Sequence, residues 1–235
     1  MSYELSFQDE HERALRFEGT KTIRDYYGPY ARIAVESGKG FVLASPTWRA
    51  SADWGGKLGY STAALDQANR DAIRLLTEIR AEFETPDHPF VLSGDMGPRG
   101  DGYDPSHKMS ADEAQEYHAT QIGTFADTEA DMVSVLTLNY VEEAIGIARA
   151  AREAGIPAAI SFTVETDGRL PTGQSLGDAI EQVDAETDNG PAYFMINCAH
   201  PTHFRETVAG DAPWKHRVWG LRANASRLSH AELDN

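Results

Sequence analysis

The chain has 235 residues, 41% of them hydrophobic and 25% charged, with 21 Lys and Arg against 37 Asp and Glu for a net charge of −16. That balance suits a water-soluble α/β protein, one large domain or two small ones, able to bury a sizeable core. It disfavours nucleic acid and anionic lipid as partners, because a field of this sign repels both. No apolar run approaches the roughly 20 residues that span a bilayer, and the first ten residues lack the basic start and apolar core of a secretory leader. One cysteine permits no intramolecular disulfide, so a reducing cytoplasm is the expected location. The acidity also fits a surface kept soluble at high salt.

In chain order, residues 1 to 22 read as a polar segment with no strand of their own. A helix is expected from Thr22 to Ser37, with Tyr26, Tyr27, Tyr30, Ile33 and Ala34 near helical spacing. Gly38-Lys-Gly40 stops it. Phe41 to Ser45 is a short apolar strand that leaves through the loop Pro46 to Ser51. Ser61 to Phe83 is a long amphipathic helix, with Leu65, Ala68, Ile73, Leu76 and Ile79 mostly on one face. Phe90 to Gly94 is the next strand, followed by a Gly- and Asp-rich loop from Asp95 to His107. Ser110-Ala-Asp-Glu113 has the pattern of a capping box and opens a helix that runs to about Asp127, where Asp112 and Glu113 are ordinary first-turn charges.

Asp131 to Thr137 is a strand, and Glu142 to Ala154 the helix after it, closed by Gly155 and Pro157. Ala158 to Thr163 is a strand whose loop, Val164 to Ser175, leads to a helix around Leu176 to Val183. Tyr193 to Asn197 is the fifth strand, Pro201 to Val208 a short helix, and Arg217 to Arg222 the sixth strand. A polar tail, 226 to 235, ends the chain.

Short, wholly apolar strands separated by helices imply a parallel sheet covered by helices. A doubly wound sheet and a barrel both fit. No Gly-x-Gly-x-x-Gly follows a strand, which disfavours the dinucleotide-binding form. The better fit is a TIM-barrel-like (β/α)8 fold with one defect, six strands where a complete barrel has eight.

Enzymes of both architectures place their chemistry at the carboxyl ends of the strands. Those ends here form a polar ring of Thr47, Trp48 and Arg49, Ser93 and Asp95, Thr137 and Asn139, Thr163 and Glu165, Asn197 and Cys198, and Asn224. Each also has a purely structural use, such as helix capping for Ser93 and Asn139 or turn formation for Asn224. Cys198 can equally be a small buried hydrophobe. Cys198-x-His200-x-x-His203 resembles a metal clip, but Pro201 and the short loop strain simultaneous ligation by all three. There is no Gly-x-Ser-x-Gly elbow and no His-Glu-x-x-His helix.

Six segments, in order, carry a family resemblance. Phe41-Val-Leu-Ala-Ser-Pro-Thr-Trp-Arg-Ala-Ser51 resembles the second-strand motif of the homocysteine S-methyltransferase family, and Ser93-Gly-Asp-Met-Gly-Pro-Arg-Gly-Asp-Gly102 its third-strand Gly-Pro loop. Ala130 to Met132 with Glu142-Glu-Ala144 resembles the fourth-strand unit. Ile160 to Thr163 with Gly168-Arg-Leu-Pro-Thr-Gly173 is similar to the fifth, Ile196-Asn-Cys198 to the sixth, and Leu221 to Ala225 to the seventh. The resemblance implies a zinc-dependent barrel that moves a methyl group from a sulfonium or ammonium donor, such as S-methylmethionine or betaine, to the thiol of homocysteine, giving methionine. Zinc in that family is held by three cysteine thiolates, of which Cys198 is one. The ring residues Thr47, Trp48, Ser93, Thr137, Glu165, Asn197 and Asn224 are then the candidate substrate contacts.

Two departures accompany the likeness. The opening Asp-Gly-Gly strand and the closing Gly-Gly-Cys-Cys strand are not found, so the metal site is incomplete and open sheet edges favour self-association. Leu136 stands where the family has a glutamate for the substrate's amino group, and Glu165 is the candidate replacement. The competing expectation is a non-catalytic scaffold that cannot hold zinc by itself.

Overall fold

The computed structural model describes residues 10–233. Its elements are α1 (Glu10–Glu36), β1 (Phe41–Ala44), α2 (Ala52–Lys57), α3 (Thr62–Phe83), β2 (Phe90–Met96), α4 (Ala111–Ala126), β3 (Met132–Leu138), α5 (Val141–Ala154), β4 (Ala158–Phe162), α6 (Leu176–Thr187), β5 (Tyr193–Asn197), α7 (Pro201–Val208), a 3-10 turn (Pro213–Arg217), β6 (Val218–Arg222) and α8 (His230–Leu233). Six strands form one sheet in the order β1-β2-β3-β4-β5-β6, every neighbouring pair parallel. Sequential order is decisive between the two architectures. A doubly wound sheet reverses direction and puts helices on both faces, whereas right-handed crossovers that always step the same way put every helix on one face and curl the sheet around the other. The fold is an incomplete TIM-barrel-like half-barrel. Among the described residues, β1 and β6 each pair on one side only.

The pleat shows which side chains face the hollow. A Cβ on Gly94 would lie 2.6 Å from the Phe125 ring of α4, so Gly94 points at the helix layer. Its neighbours Ser93 and Asp95 therefore face the concave side. The helix-side core runs through Leu92, Met96, Val133, Val135, Ile160, Phe162, Phe194 and Ile196, with Phe162 and Phe194 stacked at 6.2 Å. α4 and α5 approach so closely that a Cβ on Gly146 would sit 2.5 Å from the Ala111 carbonyl oxygen. The expected capping box is present: Ser110 Oγ accepts from the Glu113 N–H, and Glu113 accepts from the Ser110 N–H.

Some expectations are corrected. Residues 1–9 of the expected polar segment lie outside the described residues, but from Glu10 onward it is helix, continuous with the one expected from Thr22. The apolar face expected there is only partly used. Ala31 is buried and Tyr27 half-buried, while Tyr26, Tyr30 and Ile33 stay exposed. α1 is held by charge as well, since Arg24 forks to Glu78 and Glu82 of α3. The loop after β1 contains α2, and the tail contains α8.

Candidate functional site

The carboxyl ends of β3, β4 and β5 are tied together by one asparagine. Asn197 Oδ1 accepts from the Thr137 N–H at 2.9 Å and from Ser161 Oγ at 2.6 Å. Its Nδ2 donates to Thr137 Oγ1 at 2.8 Å and to Cys198 Sγ at 3.1 Å. Cys198 Sγ also lies 3.8 Å from Thr137 Oγ1. Two residues of this cluster have left-handed backbones, Thr137 with φ 68° and Cys198 with φ 54°. That conformation is costly for a β-branched residue. At Thr137 it coincides with a bulge, where β3 spends three steps from Val135 to Leu138 against two on β4. The Asn197 amide secures the unusual turn by satisfying the N–H that the bulge removes from the ladder. Gly102 packs over it so tightly that a Cβ there would meet Thr137 Cγ2 at 2.7 Å.

Asp95 is the second feature. It is the last concave-side residue of β2, 8% exposed, and its Oδ1 is fully buried with no hydrogen-bond partner. Burial pushes its carboxyl up to about 7, against the opposing positive charge of Arg222 and the Met96 N–H. Arg222 shares the concave face, since it pairs in register with Asn197. Tyr27 of α1 lies nearby and donates to the Ala44 carbonyl. Burial, then the charge of Asp95, raises its hydroxyl to about 12.

The structure brings Thr137, Asn197 and Cys198 together. Thr47 instead fastens the β1 loop to β2, its Oγ1 bonding to Ser45 Oγ at 2.6 Å and the Asp95 carbonyl at 2.7 Å. Trp48 donates its indole N–H to the Leu136 carbonyl at 3.3 Å and lies against Gly97, while Arg49 stacks between Trp48 and Trp54. Ser93 is wholly buried and bonded to Ser134 at 2.7 Å, a layer below the mouth. Glu165 faces His230 of α8 at 3.3 Å, and the other nitrogen of that ring reaches the Cys198 carbonyl at 2.7 Å. Asn224 joins the Cys198 loop through its N–H, bonded to the Ala199 carbonyl. Ser161, Arg222 and His230 were not anticipated as site residues. A polar residue inside the apolar run Ala158–Phe162 was the available signal for Ser161.

Zinc does not fit the donors present. The chain has one cysteine. His200 Nδ1 caps α7 by accepting from the Thr202 N–H, and His203 is engaged with the Arg227 carbonyl. Among the described residues no group of three or more His, Cys, Asp or Glu side chains is placed to hold a metal.

The family model described as Homocysteine S-methyltransferase matches residues 4–233. No curated protein matches the chain. Among solved structures, the homocysteine methyltransferase MmuM from Escherichia coli is similar in its metallated form, at 17% identity and a TM-score of 0.73 over 94% of this chain and 86% of that one. Its oxidized form matches at 16% and 0.72 over the same shares, and its apo form at 18% and 0.63 over 89% and 82%. At these identities the solved structures speak for the fold, and the family match speaks for descent. The chain belongs to the homocysteine S-methyltransferase family.

Proposed function

We propose that this chain binds homocysteine at the carboxyl ends of β2 to β6 and promotes transfer of a methyl group to its thiol, with S-methylmethionine or betaine as donor and methionine as product. The observation that carries the reading is the Thr137–Asn197–Cys198 cluster, cross-bonded at the strand ends of a family member, with left-handed backbone at Thr137 and Cys198, Thr137 and Asn197 buried and Cys198 half-buried. The reaction is a displacement. The acceptor sulfur, as thiolate, attacks the methyl carbon in line with the breaking C–S or C–N bond, and a neutral thioether or amine leaves. The protein's contribution is alignment in a partly dry hollow, and a net charge of −16 favours the approach of S-methylmethionine, which is net cationic, over betaine, which is a zwitterion. Zinc enters this reading only through the resemblance. One thiolate does not reproduce a three-thiolate site, and no step is routed through the metal.

We read the chain as one barrel-like domain of a cytoplasmic protein with small-molecule substrates, and the open edges of β1 and β6 as surfaces through which copies associate. Methyl transfer to homocysteine is tested with each donor, alongside zinc content per chain for wild type and Cys198→Ser. Turnover that falls on substitution supports the reading. No turnover with either donor and no zinc in either chain leaves a non-catalytic binding protein.

A further inference from the structure

Three residues of the segment that follows β6 return to the stretch that follows β5. The Asn224 N–H donates to the Ala199 carbonyl at 3.0 Å, the Arg227 carbonyl accepts from His203 Nε2 at 2.9 Å, and His230 Nε2 donates to the Cys198 carbonyl at 2.7 Å. A carbonyl oxygen can only accept, so the His230 proton toward Cys198 sits on Nε2. Its Nδ1 lies 3.3 Å from Glu165 Oε1 in the loop after β4, and its ring packs against Tyr103 in the loop after β2, with centroids 4.1 Å apart. One imidazole, its side chain 10% exposed, therefore joins the loops that leave β2, β4 and β5. Its backbone is fixed as well. Ser229 Oγ accepts from the Glu232 N–H at 3.3 Å and Glu232 accepts from the Ser229 N–H at 2.8 Å, the reciprocal pattern that opens a helix.

These bonds hold a strained turn. Cys198 has φ 54°, a left-handed backbone that a residue with a side chain keeps only where its surroundings over-determine it. Its N–H donates to the Arg222 carbonyl at 3.1 Å, and its carbonyl takes the His230 bond. The peptide groups on both sides of its Cα are thus tied, which fixes the backbone and aims Sγ at Asn197 Nδ2, 3.1 Å away. We infer that residues 224–233 form a strap and that His230 is its positioning residue for Cys198, holding the left-handed turn and with it the direction of the chain's one thiol. Asn224 and Arg227 fasten the strap along its length, and His230 is the latch. Without the imidazole one of the two peptide ties is lost, the turn relaxes toward ordinary backbone, and Sγ leaves Asn197. The strap concerns the orientation of the thiol. Only its consequence for turnover rests on the proposed methyl transfer.

A single cysteine makes the test specific, since alkylation by iodoacetamide reads Cys198 alone. In the intact chain without denaturant, His230→Ala should raise the alkylation rate by about tenfold or more, the equivalent of about 1.4 kcal/mol of lost restraint. His230→Gln, whose amide can still donate to the Cys198 carbonyl, should bring the rate back toward wild type. Tyr103→Leu removes the ring beside the latch and keeps the imidazole, so it should accelerate alkylation less than His230→Ala does. Gly146→Ala, which crowds α4 against α5 away from the strap, should leave the rate unchanged. Wild-type rates in both His230→Ala and Tyr103→Leu overturn the strap. A rise in them no larger than in Gly146→Ala also overturns it, because the thiol would then be reached by unfolding of the whole domain. Methyl transfer is read in parallel. Turnover with unchanged alkylation keeps the methyltransferase reading and removes the strap, and faster alkylation in the variants of a chain without turnover does the opposite.

Discussion

Asn197 is a single side chain that carries four polar contacts, and its value lies in what would be stranded without it. Replacing it with leucine keeps the branched outline in a larger volume and leaves the Thr137 N–H and Ser161 Oγ without their partner in a dry setting. Asn197→Leu should lower unfolding stability by about 2–4 kcal/mol, as the sum of two unsatisfied buried groups, measured by urea denaturation. A loss within experimental error would mean that water or a rearranged Thr137 replaces the amide. Asp95 acts in the opposite sense. Its folded pKa, about 7, lies above the ordinary carboxylate value of 3.8. Between those two values the unfolded chain has released its proton while the folded chain still holds it. The contribution is therefore favourable below about pH 4 and is lost as pH rises to about 7. Relative to wild type, Asp95→Asn should gain stability across that window and then level off, with a ceiling of about 4 kcal/mol set by the width of the window. Arg222 and the Met96 N–H face the carboxylate and limit the effect. A difference between the two proteins that does not vary from about pH 4 to about pH 8 would assign the carboxylate a partner.

At the scale of elements, the tightest joint is α4 on α5. Gly146→Ala puts a methyl group against backbone atoms of α4, which cannot swing aside as a side chain can. The gain in helix propensity, about 1 kcal/mol, should be outweighed by overpacking, for a net loss of about 1–2 kcal/mol. Thermal unfolding checks the sign. The same scale explains what was legible in advance. β5 and α7 begin and end where the chain predicts, because an apolar run meets Asn197 and Pro201 opens a helix at its first turn. α2 was hidden by its Gly55-Gly56 pair, which reads as loop chemistry, and the start of α1 by a charged stretch without an apolar stripe. The thiol cluster was legible as a set of residues at strand ends. Which of them touch was not, because the pairing of Thr137 with Asn197 depends on a bulge and a left-handed turn that neither propensity nor period encodes. Thr47 and Ser93 were selected for their position, and their hydroxyls bond within the sheet. Arg222, on an exposed edge strand, had no local signal at all.

For the molecule as a whole, 37 acidic against 21 basic residues set a self-repulsion that favours expansion. Salt screens it over about 10 Å at about 0.1 M, so Tm should rise as sodium chloride is added from low ionic strength, and a flat or falling Tm would show that local ion pairs such as Arg24 with Glu78 and Glu82 outweigh the net field. The half-barrel also leaves a strip of apolar surface at its two edges, Val42 on one side and Trp219 and Leu221 on the other, larger in consequence than any one exposed residue. Against that bright, exposed Trp219 stands Trp48, whose indole is hydrogen-bonded to β3 at the very level of the thiol cluster and stacked under Arg49. The hollow thus contains its own fluorophore in a partly dry setting, beside a guanidinium and a strand end that a ligand would have to disturb. If the proposed substrate binds there, the emission of Trp48 should shift on titration with homocysteine in a chain whose Trp54, Trp214 and Trp219 are replaced by phenylalanine.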